Sequence, residues 1–114
     1  MINYIETKNV FGVKVVFTEK QRKEKMLKHP ELRLDSFTER IKKAIENPDF
    51  IYQDLTDKRR YAYYAREYAI NSRVVYTKVI LKNGKKNCFI ITAYRPDYVK
   101  ERSKTRLLYG KDDE

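Results

Sequence analysis

Val74-Val-Tyr-Thr-Lys-Val-Ile-Leu-Lys-Asn-Gly-Lys-Lys-Asn-Cys-Phe-Ile-Ile-Thr-Ala-Tyr-Arg95 sets two β-branched and aromatic runs on either side of Asn83-Gly84. Asn and Gly both accept a positive φ, so a two-residue type I′ turn fits the right-handed twist of paired strands and would place Lys82 opposite Lys85. Side chains alternate between faces along a strand. That register puts Leu81, Val79, Thr77 and Val75 beside Cys88, Ile90, Thr92 and Tyr94 on one face. Ile80, Lys78, Tyr76 and Val74 share the other with Asn87, Phe89, Ile91 and Ala93, and Arg73 falls opposite Tyr94. Neither face is wholly polar. The ribbon therefore reads as the middle of a sheet, one face under helices and the other, bearing Lys78 and Tyr76, at least partly exposed.

Upstream, Asn3 to Thr7 and Phe11 to Phe17 are apolar-rich and predict a small hairpin or one strand with an irregular lead-in. Thr18-Glu-Lys-Gln21 is a capping box, which predicts a helix from Glu19 to near His29, where Pro30 disfavours helical backbone in the residue before it. Only Met26 and Leu27 are apolar in this helix, so it should meet the core through its last turn. A second box, Ser36-Phe-Thr-Glu39, opens a helix whose Phe37, Ile41, Ala44 and Ile45 share one face, and Asn47-Pro48 stops it. Asp49 to Gln53 and Arg60 to Arg66 read as strands joined through Asp54-Leu-Thr-Asp-Lys-Arg59, with a turn near Asn71-Ser72 before the central hairpin. Helices followed by consecutive strands predict an α+β fold with an antiparallel sheet. Pro96-Asp97 ends the strands and begins a basic C-terminal tail, about 96–114, with four cations between Lys100 and Arg106.

The 114 residues make one domain, and the 29 Ile, Leu, Val and Phe residues are enough for a modest core, with ten tyrosines to rim it. A net charge of +10 favours polyanionic partners. Lone Cys88 has no partner for an internal disulfide and points to a reducing compartment. No apolar run approaches the roughly 18 residues needed to span a bilayer, and Met1 to Glu6 lacks the form of a signal peptide. The expectation is a cytoplasmic protein with no membrane partner.

His29 is the only histidine. It sits at a helix end, where an imidazole either caps the negative end of the helix dipole or transfers protons near neutral pH. A Thr-Glu-Lys-Gln-Arg helix closed by Lys28-His29-Pro30-Glu31, a second helix leading into Ile45-Glu-Asn-Pro-Asp-Phe-Ile-Tyr52, a tyrosine-rich strand, and then Val74-Val-Tyr-Thr-Lys-Val79 and Phe89-Ile-Ile-Thr-Ala-Tyr94 follow in that order. Together, over about Phe11 to Lys104, they resemble the phage and mobile-element nuclease domains of the barnase/EndoU/colicin/RelE-like (BECR) class. The resemblance implies two N-terminal helices packed on a curved antiparallel sheet of about four to six strands. It also implies metal-independent cleavage of RNA by a toxin or effector. The positions that match its motifs are His29, Thr92 and Tyr94.

That chemistry suits the residues present. RNA cleavage takes a proton from the 2′-hydroxyl, returns one to the leaving oxygen, and needs fixed cations or donors for the charge that builds on the phosphate. His29 would move protons, Thr92 and Tyr94 would donate hydrogen bonds, and Arg73, Lys78 and Arg95 would hold phosphate. Lys28, Arg59 and Arg60 lie in basic segments interleaved with tyrosines, the composition that single-stranded RNA needs. Thr92 and Tyr94 are equally explained by packing, and each basic segment by a solvated face. No Cys and His pairing offers a zinc site. Pro96-Asp97 with Glu101 and Lys104 is too tightly spaced for the acidic-pair-plus-lysine nuclease pattern, and no metal or other cofactor is expected. Two further readings share the basic surface: a catalytically silent module that binds RNA or protein, and an inhibitor of a host nucleic-acid machine. For a toxin, an acidic neutralising protein is the second expected partner.

Overall fold

The structure, a computed structural model, describes residues 2–33, 35–70, 73–96 and 105–110, and at 68–70 and 73 it describes the backbone alone. The chain opens with strands β1 (Asn3–Lys8) and β2 (Lys14–Thr18), paired as an antiparallel hairpin. Asn9 holds its loop, with Oδ1 accepting from the backbone N–H of Phe11 at 3.0 Å and of Val13 at 2.9 Å. Gly12 turns the loop at φ +81°, a conformation L side chains rarely adopt.

Helix α1 (Glu19–Lys25) starts where the capping box predicts, the Thr18 hydroxyl accepting from the Gln21 N–H at 3.2 Å. It ends sooner than expected, running into turns and then a single 3-10 turn (Pro30–Arg33). None of its own residues is buried; Met26, just past its end, packs on the core while Leu27 is exposed. Helix α2 (Asp35–Glu46) buries the predicted face, Phe37, Ile41, Ala44 and Ile45. Each of the larger three contributes about 1.5–3 kcal/mol by leaving water.

Strands β3 (Phe50–Asp54), β4 (Arg60–Ile70), β5 (Arg73–Asn83), β6 (Cys88–Tyr94) and β7 (Thr105–Gly110) complete one mixed sheet, in the order β1-β2-β6-β5-β4-β3-β7. The fold is α+β, but a hairpin precedes the helices and the described residues make seven strands, where four to six antiparallel ones were expected. One pair, β2 with β6, is parallel. Strand β7 is the second departure. Its Thr-Arg-Leu-Leu-Tyr-Gly lies in what the charge made look like a tail, yet it pairs antiparallel with β3. The expected turn at 71–72, the basic stretch 100–104 and residues 111–114 lie outside the described residues.

The central ribbon forms, with a different register. Asn83 pairs with Cys88, Leu81 with Ile90 and Lys82 with Phe89, so the loop has four residues instead of two. The longer loop leaves Lys85 and Lys86 exposed, whereas the tight turn would have set Lys86 against Leu81, which is fully buried. A shift of four positions keeps every side chain on its face. A bulge then intervenes between Leu81–Ile90 and Ile80–Thr92, and one extra residue reverses the rest of the strand. Thr92 and Tyr94 therefore lie on the face of Ile80 and Lys78, Ala93 joins the core, and Tyr94 pairs with Lys78, not Arg73.

The main core lies between α2 and one face of the sheet, with Ile5, Val15, Phe17, Ile51, Val79, Leu81 and Ile90 among its members. On the opposite face Ala62, Tyr64 and Ile80 form a smaller cluster bordered by Phe50, Tyr52, Tyr76 and Ile91, with no helix over it among the described residues. No described helix is long and apolar enough to cross a membrane.

Candidate functional site

Strand pairing lays two rows of side chains across the open face. The first runs Phe50, Tyr64, Lys78 and Tyr94; the second runs Tyr52, Ala62, Ile80 and Thr92. In the first row Lys78 is only 8% exposed, with Nζ 5.2 Å from the centre of the Tyr64 ring and 5.7 Å from that of Tyr94. Aromatic faces attract cations, so the two rings favour an ammonium between them.

His29 arrives from the other side of Tyr94. Strand β2 pairs with β6 only through Val15–Cys88 and Val16–Phe89, and α1 and the 3-10 turn pack beside β6. There the His29 imidazole stacks on the Tyr94 ring, centroids 4.7 Å apart and planes 10° from parallel. Its Nδ1 faces Glu31, 3.6 Å from Oε1.

The backbone around His29 is fixed on both sides. Its N–H donates to the Lys25 carbonyl at 3.0 Å and its own carbonyl accepts from the Leu32 N–H at 3.1 Å. Arg22 braces the same turn: its Nε donates to the Leu32 carbonyl at 3.0 Å, its Nη1 reaches Glu19 Oε1 at 3.0 Å, and its guanidinium lies 3.9 Å over the Tyr4 ring. Tyr4 is tied to α2 in turn, its hydroxyl 2.6 Å from Thr38 Oγ1.

Beside this cluster lies a cleft of about 320 Å³, whose lining includes Tyr52, Arg60, Ala62, Lys78, Ile80, Thr92 and Tyr94. The Thr92 hydroxyl is buried and has no hydrogen-bond partner among the described residues. No protein-family model, curated protein or solved structure matches this chain.

Of the residues singled out from sequence, Thr92, Tyr94, Lys78 and Arg60 line this cleft, and His29 reaches it only through its stack on Tyr94. Lys28 is exposed next to His29. Arg59 is exposed in the β3–β4 turn, its Nε 3.9 Å from Asp57 Oδ1. There Lys82, 3.0 Å away, holds the Asp57 carboxyl below the usual carboxylate range. Arg95 does not join the cleft; one residue past Tyr94 it turns to the helix side, 5.5 Å over the Phe37 ring. The Arg73 side chain lies outside the described residues. Sequence reasoning missed Glu31, Arg22 and Tyr52 as parts of the site. Glu31 carried a signal, being two residues beyond the only histidine.

Proposed function

We propose that the protein is a metal-independent endoribonuclease of the barnase/EndoU/colicin/RelE-like (BECR) kind, acting on single-stranded RNA in the cytoplasm as a toxin-like effector of a phage or mobile element. The observation that carries this reading is the His29–Tyr94 stack at the side of a cleft that also holds Lys78 and Thr92. It sets a proton-transfer group against Tyr94, whose open face also carries a cation and a second hydroxyl. Buried Cys88, whose thiol burial raises to about 11, fits a reducing compartment.

In the proposed reaction the 2′-hydroxyl oxygen attacks the adjacent phosphorus, its proton passing to the imidazole nitrogen of His29 that faces away from Glu31. Glu31 stabilises the imidazolium that results. The bond from phosphorus to the 5′-oxygen breaks, that oxygen takes a proton from water, the hydroxide left is neutralised by the proton that the imidazolium gives up, and a 2′,3′-cyclic phosphate remains. Lys78 and the hydroxyls of Thr92 and Tyr94 answer the charge that builds on the phosphoryl oxygens. One observation favours a second reading, a module that holds RNA without cutting it: the chain has a single histidine, and no second imidazole serves the leaving oxygen.

The test is cleavage of a short single-stranded RNA with a chelator present. Turnover is expected, and His29→Ala should lower it by about 10²- to 10⁴-fold with RNA affinity nearly unchanged. Binding that weakens steeply with salt but brings no turnover supports the silent module. Cleavage that needs added divalent metal, or that survives His29→Ala, overturns the mechanism. Absence of RNA binding at low salt moves the search to an acidic protein partner.

A further inference from the structure

The smallest side chain lining the cleft is that of Ala62. On the open face β4 presents Arg60, Ala62 and Tyr64 in succession, and β5 presents Lys82, Ile80 and Lys78. Ala62 lies between a tyrosine and an arginine on its own strand, and between Tyr52 and Ile80 on the neighbouring ones. The gap left where a large side chain would stand has an apolar floor, Ala62 and Ile80, both buried. The Tyr52 ring is held edge-on to Tyr64, centroids 5.8 Å apart. Thr92, opposite Ile80, brings the buried hydroxyl that has no partner among the described residues. Lys78 stands two residues along β5 from Ile80, roughly 7 Å of strand. Arg60 lines the far side.

A volume of about 320 Å³ is near the lower end of the roughly 300–1,000 Å³ found for small-ligand pockets. It suits one nucleotide. A paired helix keeps its bases stacked inside and cannot offer one to a hollow of this size. The lining also has the parts that a splayed-out nucleotide requires: an apolar floor and aromatic ring for the base, a hydroxyl for a base edge or ribose, and a cation one step away for phosphate.

We propose that the hollow over Ala62 and Ile80 is a subsite for a single unpaired ribonucleotide, its base against Tyr52, its polar edge at the Thr92 hydroxyl and its phosphate toward Lys78. The choice of RNA as the source of that nucleotide rests on the ribonuclease reading. Its consequence for that reading is that cleavage is confined to unpaired positions.

The test measures binding, so that it stands apart from turnover. The four ribonucleoside 3′-monophosphates and inorganic phosphate are titrated into the full chain and followed by amide chemical shifts. At least one nucleotide should bind about tenfold or more tighter than phosphate, with shifts at Ala62, Ile80 and Thr92. Ala62→Leu, which fills the hollow from its floor, should remove that advantage and leave phosphate binding in place. Thr92→Val keeps the shape and removes the hydroxyl; it should weaken the nucleotide about fivefold, the size of one hydrogen bond, and serves also if Ala62→Leu fails to fold. Nucleotides that bind no better than phosphate, or a nucleotide advantage that survives both variants, overturn the proposal. Nucleotide binding at these residues with no RNA cleavage would support the subsite and sink the ribonuclease reading instead.

Discussion

The imidazole of His29 lies nearly parallel to the phenol ring of Tyr94, 4.7 Å from centroid to centroid. The contact joins the turn after α1 to the last residue of β6, so it has a structural role and a possible chemical one, and the two are separable. His29→Phe keeps a flat ring for the stack and cannot transfer a proton. The variant should melt within a few degrees of the wild type and lose RNA cleavage by about 10²- to 10⁴-fold. Initial rates and melting temperature on the same preparation decide it, and a rate near wild type would reduce His29 to a packing residue.

Arg22 touches no part of the cleft lining, yet it holds the turn that carries His29 through the Leu32 carbonyl. Arg22→Ala should destabilise by about 1–3 kcal/mol, the cost of a lost charge-assisted hydrogen bond. It should also lower kcat through misplacement of the imidazole, leaving the pH profile's shape unchanged. Arg22→Lys restores the cation over Tyr4 without the Nε donor and should recover stability better than kcat. Urea unfolding alongside steady-state kinetics tests this; kcat at the wild-type level in both variants would contradict it.

Gly84 is needed for nearness, not for a left-handed φ. A Cβ there would lie 2.8 Å from Cε2 of Phe89 and 3.0 Å from the Asn87 carbonyl oxygen. The ring can swing away, but the carbonyl belongs to the loop that accepts the Gly84 N–H at 2.8 Å. Gly84→Ala should therefore cost about 1–3 kcal/mol, as overpacking does, read from the thermal transition. An unchanged melting temperature would show that the loop relaxes freely.

Alkaline pH should weaken the fold before neutral pH does. Burial raises the Cys88 thiol to about 11 and pushes the Tyr63 phenol upward as well, with the neighbouring Cys88 adding to it. An unfolded chain ionises cysteine from about 8.5 and tyrosine from about 10. Above those values the folded state holds more protons than the unfolded one, so stability is complete below about pH 8.5 and falls as pH rises toward 11. Urea midpoints across that range measure the slope, and Cys88→Ala should flatten its lower part. A midpoint constant from pH 7 to 10.5 would contradict the shifts.

The parts of this fold that were legible in sequence are those set by local period. Phe37, Ile41, Ala44 and Ile45 form one helical face whatever the helix packs on, and Thr18 caps α1 through its own hydroxyl. The register of β5 with β6 was not, because Asn83-Gly84 has the composition of a tight turn while the pairing leaves a loop of four residues. Even so, the faces survived as far as Ile90. The bulge beyond it has no sequence mark, and it is what brings Thr92 and Tyr94 to Lys78. The parallel β2–β6 pair and edge strand β7 depend on contacts between distant segments, which periodicity does not reveal. At the site, Thr92 and Tyr94 line the cleft and His29 stacks on Tyr94 without lining it, while Arg95 turns away because it is one residue out of phase.

The parallel pairing of β2 with β6 also orders events in time. The first hairpin is complete by Thr18, but its neighbour in the sheet is a strand that begins at Cys88, and that same strand ends on the ring His29 stacks against. Contacts this far apart in the chain form after local ones, since the loop between them must close first. During synthesis the hairpin and both helices leave the ribosome before the strands that line the cleft, and before the ring on which the imidazole stacks. A chain that attacks RNA would thus be made in an unarmed form, and would acquire its active face only once residue 94 had cleared the exit tunnel.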